Sequence, residues 1–525
     1  MKKIWFPLAV VLMVVVSIVA SFLIEKIQFA RYFTAMVMPL LGGLVILIWY
    51  LLRRGLPLKQ KLLVLGLVVL TPLLFLGIFR REGFAGAGYP QFVPRWAPER
   101  GADLAEAGPG LEVANHDTTP NGSTLAPEEF EAARAVRYNF SGPSRTHTMP
   151  RRAFSTDWAA NPPKELWRRD IGTGWGSFSV AGGRAFTLEQ RGDEEWTSCY
   201  SLLQGQLLWR TTRPARFTEG MSGAGPRSTP FVDGERVFAL GGEGDLACHS
   251  VDDGSILWQR NILEGPGGEN RGNLFYGKSC TPLRVGDLVV VTGGVRGGTL
   301  LAFDASSGAP VWTAGDPSEE SRYSSPMVAT LAGREMILAV NQNSLTGHVP
   351  ATGEVILRID WPGKMFPKSS QPIPLGGDRI LCTASYGMNS FVAEVSVGAD
   401  GKLTSKDLWR RNRMKTKFST SPPYKGYSYG LDEGIFCCVD LADGEKVWKG
   451  GRYGYGQNLL VEDVVLMQME RTGEIVLIEP NPTALKELAR LNALSGKTWN
   501  APSIAGRYLL VRNGEEAACF ELPAR

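Results

Sequence analysis

Cys437 and Cys438 are adjacent in "GIFCCVDLADGEKVW", where two thiols could serve redox chemistry or close a vicinal disulfide. The four histidines are His116, His147, His249 and His348, and no two of them share a metal-ligand spacing. They offer no Ser-His-Asp arrangement either. "GTGWGS", Gly172 to Ser177, has the glycines of a phosphate loop, but no helix or Lys-Ser pair follows it. It reads better as the opening of a strand. One set of charges is regular: Arg227, Lys278, Arg322, Lys368 and Lys417 lie three to five residues ahead of Pro230, Pro282, Pro326, Pro372 and Pro422. Cations that converge beside serine and threonine hydroxyls suit carboxylates.

Whether these cations converge depends on the elements that carry them. From about Pro162 onward, short strands rich in Val, Ile, Leu, Phe and Tyr alternate with Gly, Asp, Asn and Pro turns, which is an all-β pattern. "LLAFDASSGAPVW" ends at Trp312, and the same grammar ends at Trp209, Trp258, Trp448 and, with leucine, Leu357. Taken as registration marks, Gly205, Gly254, Gly308, Gly353, Gly401 and Gly444 give a period of about 45 to 50 residues, the size of a four-stranded propeller blade. The prolines above, with Pro502, open successive copies, as suits the first residue of a strand. Copies near Ser177 and Gln457 lack that proline. Seven copies are complete, and an eighth, "APSIAGRYLLVRNGEEAACFEL", stops after three strands. "PPKELWRR", with Trp167, supplies the missing strand from the other end, because closure removes exposed sheet edges. The expectation is an eight-bladed β-propeller of four-stranded blades over 162–525, with seven blades as the alternative.

The same alignment bears on the cysteines. Cys438 lies six residues before its turn glycine, as Cys199, Cys248, Ala302 and Gly347 do before theirs. These are small core positions, and Cys437 points to the other face of its strand. His249 and His348 likewise occupy one repeat position.

Gly-x-x-x-Trp after an "ALDA-x-TG"-like strand, together with the serine-proline opening, resembles the pyrroloquinoline quinone (PQQ) enzyme repeat. "YNFSGPSR", Tyr138 to Arg145, is similar to the "WPQFRGPNR" lead-in of PQQ-binding-like propellers. The superfamily includes quinoprotein dehydrogenases and the non-catalytic BamB lipoprotein, so the resemblance is specific for fold and weakly specific for activity. It implies that the tryptophans, including Trp167 and Trp409, pack between neighbouring blades. A dehydrogenase reading would require a vicinal disulfide, a calcium site of carboxylate and amide side chains, and a catalytic aspartate. The adjacent Cys437 and Cys438 fall on core positions of the repeat, and no calcium and aspartate cluster is recognisable, nor is a haem-attachment Cys-x-x-Cys-His.

The first eighty residues hold three apolar runs, about 4–24, 33–52 and 62–79, each long enough for a transmembrane helix. Lys2, Lys3, Arg53, Arg54, Lys59 and Lys61 place their flanks in the cytoplasm, and Glu25, Lys26 and Arg31 outside. Arg80 and Arg81 oppose this without reversing it. No carboxylate or histidine lies within a span, so residues 1–80 read as an anchor rather than a transport path. Residues 81–161, rich in Gly, Pro and Ala, read as an extracytoplasmic linker with a short helix near "APEEFEAARAVRY". The expected location is the bacterial inner membrane, with the propeller in the periplasm.

A net charge of +4 over 525 residues gives no reason to expect a nucleic-acid partner. The expected function is a non-catalytic binding or scaffolding module without a cofactor, engaging a protein, an envelope polymer or an anionic ligand at the ring of five cations. The alternative is a PQQ- and calcium-dependent dehydrogenase that passes electrons to membrane quinone.

Overall fold

A computed structural model describes residues 5–23, 28–53, 55–86, 88–97, 127–265, 267–363 and 366–525. Lys2, Lys3, Glu25, Lys26, Arg54, His116 and the middle of the expected linker lie outside the described residues. The chain divides into two compact units.

The first unit holds helices Trp5–Leu23, Gln28–Leu52 and Leu58–Ile78, then a hairpin of Phe79–Phe84 and Pro90–Pro94. Among the described residues one helix, Leu58–Ile78, is long and apolar enough to cross a membrane, and Phe6–Ser17 and Val37–Leu52 are shorter apolar stretches. Of the three spans expected from composition, Leu58–Ile78 is thus the one that qualifies as a membrane-span candidate among the described residues. Gly42 lies where a Cβ would sit 2.6 Å from Val14, so the absent side chain lets the first two helices approach closely.

The second unit is the propeller. Seven blades are four-stranded meanders, at residues 179–214, 231–261, 283–314, 327–360, 373–411, 423–452 and 457–491. Blade 8 contains Ser503–Ala505, Tyr508–Arg512 and Glu516–Glu521, and Lys164–Asp170 completes it as the outer strand. Eight blades therefore stand and seven do not. The fourth strand comes from the other end of the domain, with Trp167 opposite Cys519.

The tryptophan rule has a clear physical basis. Each indole N–H donates to a turn carbonyl of the next blade: Trp167 to Leu202, Trp209 to Val251, Trp258 to Ala305 and Trp409 to Leu441. The ring lies flat on that turn's glycine, so that a Cβ on Gly308 would fall 2.5 Å from Trp258. Across the strand pair the tryptophan faces the small position, as in Cys199–Trp209, Cys248–Trp258, Ala302–Trp312 and Cys438–Trp448. A large ring leaves its strand neighbour little room, which is why the position reads as small.

From Tyr138 onward, residues expected in the linker pack on the propeller. Tyr138 bridges to Val180, Phe154 bridges to Ala524, and Trp158 is buried. Thr148–Met149 runs parallel to Leu460–Val461 and makes blade 7 five-stranded. Arg145 reaches the opposite side of the channel, where its guanidinium donates to the carbonyls of Thr281, Pro282 and Pro326. The lead-in segment is thus a plug in the channel. It is held in shape by Ser141, Arg145 and His147, all at positive φ, a conformation that persists only where surrounding contacts fix it.

Candidate functional site

In a four-stranded meander the loop entering the inner strand lies at the opposite end from the turn leaving it. The eight entry loops therefore frame one mouth of the channel, and the five cations sit on five of them. None is a solvated loop charge. Lys278 is fully buried, and its Nζ donates to the carbonyls of Thr292 and Gly293. Lys368 Nζ donates to Trp361 O at 2.5 Å, Gln342 O at 2.8 Å and Asn341 O at 3.2 Å, and lies 4.3 Å from the Trp361 ring centroid. Arg227 pairs with Glu219 at 3.1 Å, and Arg322 pairs with Glu320. Lys417 lies over Tyr455 at 4.1 Å and Tyr386 at 5.3 Å. Burial pulls the ammonium groups down, Lys368 to about 7 and both Lys278 and Lys417 to about 8. Arg322 is close enough to Lys368 to add to that depression. The hydroxyls expected beside them are engaged too. Thr281 N donates to Ser325 Oγ, Ser325 N to Gln371 Oε1, and Gln371 N to Thr420 Oγ1, linking blades 3 to 6.

Aromatic side chains, which the sequence reading did not single out, accompany the cations. Trp175 and Trp499 lie 5.1 Å apart, Phe418 and Trp499 5.0 Å, and Tyr276 and Tyr323 5.5 Å. Lys497 stands 3.7 Å from the Trp499 ring and 4.9 Å from Trp175. Trp499 donates its indole N–H to Glu470 at 3.0 Å. The signal was available, since Tyr276, Tyr323, Phe418 and Trp499 each lie one or two residues from Lys278, Arg322, Lys417 and Lys497. The mouth can present flat apolar faces beside ammonium groups to a ligand.

The other candidates prove structural. All seven cysteines are free and buried. Cys438 faces Trp448 across its strand pair, while Cys437 on the opposite face contacts Met414, with 3.6 Å between the sulfurs. Burial pushes both thiols up, Cys438 to about 11. His249 and His348 each place Nδ1 against the carbonyl of their own turn glycine, Gly254 and Gly353, at 3.1 and 2.9 Å. His147 places Nδ1 3.1 Å from Asn458 O, inside the plug. Among the described residues, no group of three or more His, Cys, Asp or Glu side chains is placed to hold a metal ion. A PQQ-calcium centre with a vicinal disulfide does not fit these residues: both cysteine side chains are buried in the sheet packing, on opposite faces of one strand.

Residues 193–450 match the family model described as outer membrane protein assembly factor BamB. No curated protein matches the sequence. Among solved structures, BamB from Moraxella catarrhalis is similar with a TM-score of 0.50 at 12% identity, over 69% of this chain and 98% of its own. Quinohemoprotein alcohol dehydrogenase from Comamonas testosteroni gives 0.51 at 12% identity, over 77% and 83%. At that identity both likenesses speak to the fold. The eight closed blades make residues 164–525 a β-propeller, and within it residues 193–450 are similar to the BamB family.

Proposed function

We propose that the protein is a membrane-anchored extracytoplasmic propeller that acts as a non-catalytic binding and scaffolding module. Its helices Trp5–Leu23, Gln28–Leu52 and Leu58–Ile78 serve as three spans of a bacterial inner membrane, with Arg53, Lys59 and Lys61 on the cytoplasmic side and the propeller in the periplasm. The mouth is the binding end. Arg227, Lys278, Arg322, Lys368 and Lys417 fix the loops that frame it, and an anionic ligand with a flat apolar face, or such a group on a partner protein or polymer, meets the rings and Lys497.

The observation that carries the reading is the placement of Cys437 and Cys438, which removes the one sequence feature that favoured redox chemistry. The competing reading, a PQQ-dependent dehydrogenase, is favoured by likeness of fold to the Comamonas enzyme. The two separate on one experiment. Incubated with PQQ and calcium, the full chain is expected to show no quinone absorbance after desalting and no dye-linked oxidation of alcohols or sugars. A stoichiometric quinone spectrum with turnover would replace the binding reading with the enzymatic one.

A further inference from the structure

The plug covers only part of the channel wall. Between it and the inner strands of blades 4 to 7 lies a cavity of ≈ 550 Å³, on the side of the turns that leave the inner strands. Blade 7 shows how such a wall is covered. Its inner strand ends at Val461, before a two-residue turn with Glu462 at positive φ, and the amides of Leu460 and Glu462 donate to His147 O and Met149 O at 2.9 and 2.7 Å. These groups face the channel because they alternate with those paired to the second strand.

Blade 4 has the same construction. Its inner strand ends at Leu331, before a two-residue turn with Ala332 and Gly333 at positive φ. Thr330 therefore corresponds to Leu460, and Val328 to Asn458. The N–H and C=O groups of Val328 and Thr330 face the channel, line the cavity and have no partner among the described residues. An open edge of this kind is a template for another strand.

We propose that the inner edge of blade 4 binds an extended peptide of a partner protein by strand addition inside the channel. The chain's own strand at 148–149 fills the inner edge of blade 7 in the same way, and that edge and the open one line a single cavity. The wall is neutral: Met327, Val328 and Ile373 are apolar, and Thr146 and Thr148 offer hydroxyls. Its single carboxylate, Glu462, already pairs with Arg525 at 2.7 Å. The peptide is accordingly uncharged, with apolar and hydroxyl residues, in a strand of about four residues. Thr330, Ser144 and Pro150 are exposed, so the cavity is open to solvent. This site lies away from the mouth and stands whether or not the mouth binds an anion.

The probe is a displayed library of random heptapeptides, selected on the full chain in detergent. Expected binders protect the amides of Val328 and Thr330 from hydrogen exchange by about tenfold. They lose about tenfold in affinity for Val328→Pro or Thr330→Pro, since each variant deletes a donor to the peptide. Both prolines leave the hairpin ladder intact, because the deleted N–H faces away from it. Should one variant fail to fold, the other and the exchange pattern of the wild type still decide. No enriched binder, binders that leave exchange at 328 and 330 unchanged, or binders indifferent to both variants would each overturn the proposal, as would enrichment of charged peptides only.

Discussion

Lys368 shows what spacing can and cannot report about a single residue. Its distance from Pro372 marks it as one of a set, yet three carbonyls from the preceding blade surround its ammonium, and no sequence pattern announces them. An ammonium with three acceptors is well satisfied, but its removal from water still brings it down to about 7. The folded value lies below the unfolded one of 10.5, so between the two the unfolded chain binds the extra proton. Stability therefore rises with pH from about 7 to 10. Lys278 and Lys417 act in the same direction from about 8. Lys368→Met removes one such group and nearly preserves volume. Relative to this variant, the wild type is expected to gain up to about 1.4 kcal/mol per pH unit across that window. Urea midpoints at pH 7, 8, 9 and 10 measure it, and parallel profiles would show that the lysine's proton is not linked to folding.

At the scale of the element, blades are coupled through one ring and one turn. Gly308 is at φ +69°, and an added Cβ would meet Trp258 at 2.5 Å. Gly401 has φ +77°, but nothing lies within 4 Å of its Cβ position, because blade 4 carries Leu357 in place of the tryptophan. Gly401→Ala should then cost only the left-handed backbone penalty, about 1 kcal/mol. Gly308→Ala should cost about 2–4 kcal/mol, since overpacking is added to it. In a Trp258→Ala background, itself about 3–5 kcal/mol less stable, the Gly308 cost should fall toward the Gly401 value. Chemical denaturation of the four variants checks this, and equal costs at Gly308 and Gly401 would contradict the docking. The glycines and tryptophans were legible in the sequence as marks. Their partnership across blades was not, because each pair joins residues about 50 positions apart.

For the whole molecule, one strand closes the ring and one segment fills its axis. Lys164–Asp170 pairs with Glu516–Glu521 across more than 340 residues, and loss of that strand would expose an edge of blade 8. A propeller begun at Gly172, lacking both strand and plug, is expected to associate or aggregate and to melt below the full domain. Light scattering after size exclusion tests this, and a monomer with unchanged melting would mean that neither closure nor plug supports the fold.

The sequence by itself determined the blade period, the candidate closing strand, the small and large positions of each blade and the place of the paired cysteines among them, because all of these follow from a fixed period and a repeat reports its own geometry, while the closed ring decided for eight blades over seven. Only the tertiary structure decided what does not repeat. The five cations are buried posts because folding brings carbonyls, carboxylates and rings onto them, from the same blade for Lys278 and from the preceding one for Lys368, and the aromatic mouth exists because loops distant in sequence meet there. Tyr138 to Met149 became a plug because Arg145 finds three carbonyls across the channel, contacts that exist only once the ring has closed.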